Sequence, residues 1–137
     1  MGYTLTGYKC ISLFFNEQII NARMKSTKSF IYQAKDYVHG HYQNDRLSLD
    51  EVCKFLGVSN SYFSTMFKKE VGQSFVEYLT SYRMERAAKL LSETNEKNYI
   101  IAKKVGYIDP NYFSYVFKRQ FGISPSKYRM EYVESEK

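Results

Sequence analysis

The sequence predicts an all-α fold of about seven helices. Three observations lead to this class. Apolar residues recur at the three- and four-residue spacing of an amphipathic helix, and no segment alternates with the two-residue period of a strand. Serine and aspartate caps and glycine stops divide the chain into separate helical segments. A short phrase also occurs twice, which indicates two similar supersecondary units.

The first two helices are marked by an apolar stripe and by a serine cap. The stripe runs over residues 29–42, and the polar stretch 44–47 breaks it. Ser48 then opens a second helix, because Glu51 stands three residues later at the spacing of a capping box. Gly57 is a C-terminal stop, so this helix is short.

The third helix and the long fourth one are bounded in the same way. Ser59 can cap a helix that Gly72 ends. Ser74 and Glu77 form another capping box, which opens a long helix over residues 74–94. The apolar face predicted for this helix consists of Phe75, Tyr78, Leu79, Tyr82, Leu90 and Leu91.

The second half of the chain repeats this order of signals. Gly106 stops a short fifth helix. Asp109 caps the sixth helix, which has a proline at its first position. Gly122 ends that helix, and Ser124 opens the last one.

The repeated phrase shows how these helices are grouped. "NSYFSTMFKKEVG" (Asn60–Gly72) and "PNYFSYVFKRQFG" (Pro110–Gly122) align without a gap at an offset of 50 residues (112 − 62 = 50). Each copy follows a short helix and a tight glycine-containing turn, so each is the second helix of a helix-turn-helix unit. The long helix joins the two units. The inward faces are predicted to carry Phe63, Met66 and Phe67 in one copy and Phe113, Val116 and Phe117 in the other.

The opposite faces of the two copies are polar. Hydroxyl and amide groups can read base edges in a major groove, and lysines can reach phosphates. The groups on these faces are Ser61, Ser64, Thr65 and Lys68 in the first copy and Asn111, Ser114, Tyr115 and Lys118 in the second. A polar outer face is also the default for any surface helix. The residues alone therefore leave open a helical protein–protein interaction module, in which the 14 tyrosines supply a binding surface.

The charge balance favours an anionic partner. The formal net charge is +6 at pH 7, as expected for a protein that binds nucleic acid or an acidic membrane surface. The most apolar early run, Cys10–Phe15, is far shorter than the roughly 20 residues of a membrane span. It also lacks the cleavage site of a signal peptide. We therefore expect no membrane association and a cytoplasmic location.

Neither a cofactor nor an enzyme activity is expected. His39 and His41 are two residues apart on a helix, so they cannot face one metal ion. No nucleophile–base arrangement or glycine-rich phosphate loop is present. Cys10 and Cys53 show no paired spacing and are predicted to be free thiols, with Cys53 as a small core residue.

The second copy and its flanks carry a family signature over one continuous stretch, "IAKKVGYIDPNYFSYVFKRQFGISPSKYR" (Ile101–Arg129). It closely resembles the signature of AraC/XylS-type transcription regulators. The matching positions are Ile101, Ala102, Val105, Gly106, Tyr107, Asp109, Tyr112, Phe113, Phe117, Lys118, Arg119, Gly122, Ser124, Pro125, Tyr128 and Arg129. The first copy and the long helix fit too, so the resemblance covers about residues 29–132.

The resemblance implies a double-stranded DNA-binding domain that acts on promoters, with two recognition helices in successive major grooves. RNA polymerase is a further expected partner. Within the family, the chain looks most like the output domain of YesN-type response regulators. Such regulators carry an N-terminal sensory or receiver domain, for which this chain has no room. We therefore expect either a fragment of a longer regulator or a stand-alone regulator with a short leader, and we favour the fragment.

The resemblance also implies particular site residues. The family's base-reading positions fall on Ser61, Ser64, Thr65, Asn111, Ser114 and Tyr115. Phosphate contacts are expected from Lys68, Lys69, Lys118 and Arg119. Many members have arginine at the positions of Thr65 and Tyr115, where it would bind guanine through two hydrogen bonds. Its absence here favours A·T-rich sites, through methyl contacts to thymine and through Asn111 to adenine.

The expected division of the chain follows from the repeat and the linker helix. Residues 1–28 are a leader or a linker from a preceding domain. Residues 29–80 form the first helix-turn-helix subdomain, residues 74–94 the linker helix, and residues 95–137 the second helix-turn-helix subdomain.

Overall fold

The computed structural model describes residues 28–136, and the side chains among them up to residue 133. This part of the chain folds into seven α-helices and contains no strand, which confirms the all-α prediction. The helices are α1 (28–41), α2 (Leu49–Leu56), α3 (Asn60–Val71), α4 (Phe75–Glu93), α5 (Asn98–Lys104), α6 (Pro110–Phe121) and α7 (Pro125–Glu136).

The helix boundaries follow the caps predicted from the sequence. Five cap side chains accept a backbone N–H at N···O distances between 2.9 and 3.3 Å: Ser48, Ser59, Ser74, Asp109 and Ser124. Helices α2, α3 and α6 each end at a glycine in the left-handed region, as predicted. Local side-chain chemistry therefore sets where these helices start and stop.

The sequence repeat is also a repeat of packing. The rings of Phe67 on α3 and Tyr78 on α4 meet edge-to-face, with centroids 5.6 Å apart. Fifty residues later (117 − 67 = 50; 128 − 78 = 50), Phe117 on α6 and Tyr128 on α7 meet in the same way at 5.5 Å. Each helix-turn-helix unit thus includes the first turn of the helix that follows it.

Helix α4 belongs to the cores of both units. Near its start, Phe75 packs edge-to-face against Phe63 and Phe67 of α3. Further along, Met84, Ala87, Ala88 and Leu91 are buried, where α4 packs against α5 and α7. The single apolar face predicted from the sequence was therefore too simple. Leu90 and Tyr82 are only half-buried, because the two units pack against different sides of the helix.

Candidate nucleic-acid interface

Helix α3 presents the first predicted set of base-reading residues on its exposed face. Ser61, Ser64 and Thr65 are all exposed and lie in the N-terminal half of the helix. The hydroxyl of Thr65 donates to the carbonyl oxygen of Ser61 at 3.0 Å. The hydroxyl proton of Thr65 is therefore used in a hydrogen bond within the helix, and its methyl group is available for contact with a base.

Helix α6 presents the second set in the same way. Asn111 and Tyr115 are exposed, and Ser114 is half-buried. The backbone N–H of Asn111 donates to the cap carboxylate of Asp109 at 2.9 Å, which fixes the start of the helix. The side-chain amide of Asn111 makes no hydrogen bond to another described residue, so both its donor and its acceptor are free for a ligand.

Tyr112 is a further exposed side chain on the polar face of α6, outside the predicted set of base-reading residues. Tyr112 is 56% exposed, and its ring stacks on that of Tyr115 with centroids 6.4 Å apart. The two tyrosines stand three residues apart, a spacing that puts them on one side of a helix. This spacing indicates from the sequence alone that Tyr112 lies beside the predicted base-reading residue Tyr115.

The predicted phosphate-binding cations lie in the last turns of the two helices. Lys68 and Lys69 lie in the last turn of α3, and Lys118 and Arg119 lie in that of α6; all four are exposed. Within residues 28–133, none of them forms a salt bridge. Cations in a last turn also complement the helix dipole, which gives them a structural role in the absence of a ligand.

The exposed face of α6 continues onto the linker helix. A cleft of about 490 Å³ lies between α6 and the first half of α4, and Thr80 and Ser81 line it beside Tyr115 and Arg119. The side-chain amide of Gln120 donates to the Ser81 hydroxyl at 3.3 Å across this boundary. The polar groups of α4 therefore belong to the same surface as the α6 residues. No sequence signal marks them, because the contact between α4 and α6 forms only when the helices pack.

The two histidines are held by different partners. His39 Nε2 lies 2.9 Å from the Tyr78 hydroxyl, whereas His41 Nδ1 lies 2.9 Å from the carbonyl oxygen of Tyr37.

The described residues contain no group of three or more side chains that could hold a metal ion. The same part of the chain has no helix that is both long and apolar enough to cross a membrane.

Of the two cysteines, only Cys53 lies among the described residues. Cys53 is a free thiol in the core with 1% of its surface exposed, as predicted. Cys10 lies outside the described residues.

Two equivalent helices, each held by a short preceding helix and a tight turn, pack on one linker helix and present exposed polar groups and cations. This arrangement defines a DNA-binding protein of the double helix-turn-helix class. Residues 52–131 match the family described as "Helix-turn-helix domain". The chain belongs to the AraC-type branch of this family, so it is a non-enzymatic DNA-binding domain of transcription regulators.

Similar solved structures support this assignment. The C-terminal domain of AraT, a response regulator from Geobacillus stearothermophilus, is 42% identical with a TM-score of 0.74, over 74% of this chain and 84% of that one. The C-terminal domain of the response regulator yesN from Fusobacterium nucleatum subsp. nucleatum is 40% identical with a TM-score of 0.69, over 70% and 93%. These matches confirm the resemblance to YesN-type output domains.

Curated relatives include both short and long proteins. The multiple antibiotic resistance protein MarA of Escherichia coli (strain K12) is 32% identical over 106 residues, which is 77% of this chain and 83% of MarA. In contrast, the chain spans only about two-fifths of the length of other regulators it matches, 38% of one and 40% of another.

Proposed function

We propose that this chain binds promoter DNA by placing α3 and α6 in successive major grooves on one face of the duplex. The observation that carries this proposal is the placement of two equivalent helices by one linker helix. Helix α4 has 19 residues. At about 1.5 Å per residue its length is roughly 28 Å, close to the ~34 Å of one DNA turn. One chain then supplies two recognition helices without a dimer partner.

The proposed base-reading groups lie in the N-terminal halves of α3 and α6, and all of them except the half-buried Ser114 are exposed. They are Ser61, Ser64, Thr65, Asn111, Ser114 and Tyr115. The two sets differ in chemistry, so the binding site has two dissimilar elements and is not palindromic. The Asn111 side-chain amide has no hydrogen-bond partner among the described residues and suits adenine, and the Thr65 methyl suits thymine. This combination favours A·T-rich elements.

The proposed phosphate contacts come from the last turns of the same helices. Lys68, Lys69, Lys118 and Arg119 are exposed and free of salt bridges within the described residues. Phosphate contacts fix the register of a protein on the duplex and carry no sequence information themselves. These four cations therefore supply affinity, and the groups nearer the helix starts supply specificity.

We further propose that the chain is the output part of a longer cytoplasmic regulator with an N-terminal sensory or receiver domain. Two observations support this: AraT and yesN are response regulators whose C-terminal domains match, and several relatives are more than twice as long as the match. The output part consists of subdomains 29–80 and 95–137, joined by the linker helix 74–94. RNA polymerase is the proposed protein partner at the promoter.

The test is a selection of bound sites from random duplex DNA, followed by titrations of the selected site at several salt concentrations. If roughly 6 to 10 phosphates are neutralised, affinity falls about a thousandfold or more between 50 and 200 mM salt. A scrambled duplex of the same length is the control, and we expect weaker binding with a similar salt dependence. No enriched sequence, or an affinity that does not change with salt, would contradict the proposal.

A further inference from the structure

Arg83 in the middle of α4 is a buried charge that binds the backbone of the first unit. Within residues 28–133 it is the only buried charged side chain, with 8% of its surface exposed. Its Nε donates to the carbonyl oxygen of Tyr42 at 2.9 Å, and its Nη2 donates to that of Asn44 at 2.7 Å. Tyr42 directly follows α1, and Asn44 lies two residues further along the same loop. Arg83 therefore fixes the end of α1 to the linker helix.

The same guanidinium contacts the second unit. It lies over the ring of Tyr107, 5.4 Å from the ring centroid. Burial lowers the pKa of Arg83, whereas the neighbouring Tyr107 raises it. Burial likewise raises the pKa of Tyr107, and the guanidinium charge of Arg83 counteracts that rise. The charged guanidinium of Arg83 on α4 is thus in contact with the turn that precedes α6.

The turn itself fits closely around this charge. Gly106 has a φ of +98°, and a Cβ at this position would lie 2.5 Å from the Tyr42 carbonyl oxygen and 2.9 Å from Arg83 Cζ. Backbone from the second unit therefore packs directly on the carbonyl that Arg83 binds in the first. Tyr42, Arg83, Gly106 and Tyr107 together form a junction at which α1, α4 and the α5–α6 turn meet.

We propose that this junction fixes the orientation of the second recognition helix relative to the first, and that Arg83 is the positioning residue that sets the spacing between the two DNA elements. This inference rests on the proposed function. A single helix is stiff, but a unit that packs on it can still shift or tilt against its surface. The junction adds a second attachment, because rotation of one unit about α4 would separate Arg83 from Tyr107 or from the Tyr42 carbonyl.

Arg129 on α7 provides a matched control. It donates from Nε to the carbonyl oxygen of Leu91 at 3.1 Å and from Nη2 to that of Glu96 at 2.6 Å. The chemistry is the same as at Arg83, but Arg129 lies in the second unit and binds the end of α4 and the loop before α5. Its loss weakens that unit and leaves the junction between the units intact.

The test measures affinity for duplexes in which the two selected elements are separated by the selected spacing or by one or two base pairs more or fewer. Each added base pair turns the second element by about 34° about the duplex axis. We expect the wild type to prefer one spacing by about tenfold or more, equivalent to about 1.4 kcal/mol. Arg83→Met should bind all spacings within about threefold of one another, with unchanged affinity for a duplex that carries one element. Arg83→Lys can restore one of the hydrogen bonds and should recover part of the preference.

The controls separate the possible failures. Arg129→Met should keep the wild-type preference for spacing even where its stability falls, because it does not touch the junction. Tyr107→Leu, which keeps the two backbone bonds of Arg83, is the second variant if Arg83→Met does not fold; it should lose part of the preference. A wild-type preference retained by Arg83→Met, or by Tyr107→Leu in its place, would overturn the inference. A wild type that binds one element as tightly as two would instead overturn the proposed function.

Discussion

Arg129 Nη2 lies 2.6 Å from the carbonyl oxygen of Glu96, and Arg83 makes the equivalent bond, 2.7 Å long, to the carbonyl oxygen of Asn44. In each unit an arginine from the following helix thus binds the loop that precedes the helix-turn-helix. The equivalence lies in the structure and not in the repeat, because the residue 50 positions before Arg129 is Leu79 (129 − 50 = 79). Arg83 lies in the third turn of α4 and Arg129 in the second turn of α7, so equivalent backbone contacts come from different turns of the two helices.

Removing Arg129 should lower the free energy of unfolding. Arg129→Met leaves the carbonyls of Leu91 and Glu96 without their donors, and each lost partner of a buried group costs about 1–3 kcal/mol. Because Arg129 is half-buried, water replaces part of the interaction and we expect a total near the lower end. Urea unfolding measures the change. Arg119→Met, at an exposed site without a salt bridge in the described part of the chain, is the control and should change stability little.

Gly57 and Gly106 both have a left-handed backbone conformation, but their replacement by alanine should lower the free energy of unfolding by different amounts. Gly57 has a φ of +71° and open space where a Cβ would stand, whereas at Gly106 a Cβ would meet the Tyr42 carbonyl and Arg83. Gly57→Ala should therefore cost only the conformational penalty of about 1–2 kcal/mol. Gly106→Ala must in addition displace backbone, so we expect a loss well beyond that. Thermal unfolding of both variants compares them; equal losses would mean that the junction is not closely packed.

The thiol of Cys53 should react slowly in the folded protein. Burial is the main cause that raises the pKa of this thiol, and the charge of Asp50 adds to it. Since the thiolate is the reactive form, modification should need a higher pH than for an exposed thiol and should accelerate in urea together with unfolding. A Cys10→Ser background leaves one thiol to follow. Rapid modification of the native protein near neutral pH would contradict the burial of Cys53.

Replacing Cys53 should have little effect on function. Cys53→Ala removes one buried sulfur atom, and we expect the DNA affinity and the melting temperature to stay almost unchanged. Titration of the selected duplex and a thermal melt measure both. A clear loss of DNA affinity at unchanged stability would assign Cys53 a role beyond packing.

Much of the fold follows from local signals in the sequence, whereas the contacts between units do not. Ser59 and Gly72 mark the ends of α3 because caps and stops act within a few residues. Arg83 gives no such signal. Its partners are backbone carbonyls 39 and 41 residues away (83 − 44 = 39; 83 − 42 = 41), and every residue has a carbonyl, so the side-chain pattern does not mark them. For the same reason the polar face of α4 beside α6 became visible only once the helices were packed.

Two substitutions should separate affinity from specificity. Lys68 lies in the last turn of α3, and Lys68→Ala should weaken binding to all sequences alike and lower the salt slope by about one. Asn111 lies in the first turn of α6, and Asn111→Ala should cost about 1–3 kcal/mol at one base pair and leave the other positions nearly unchanged. Affinities for a panel of single-base variants of the selected site measure both effects. A changed sequence preference in Lys68→Ala would show that these roles are assigned wrongly.

The central claim is that one chain reads two DNA elements about one helical turn apart. The measurement that tests it most directly is footprinting and titration of the selected site before and after insertion of about five base pairs between the elements. This insertion moves the second element to the opposite face of the duplex. DNA bending can relieve a smaller mismatch at a cost of about 1–6 kcal/mol, but the stiff linker helix cannot follow half a turn. We expect protection of one element only and a large loss of affinity. An unchanged affinity with both elements protected would contradict the claim and leave α6 without a reading role.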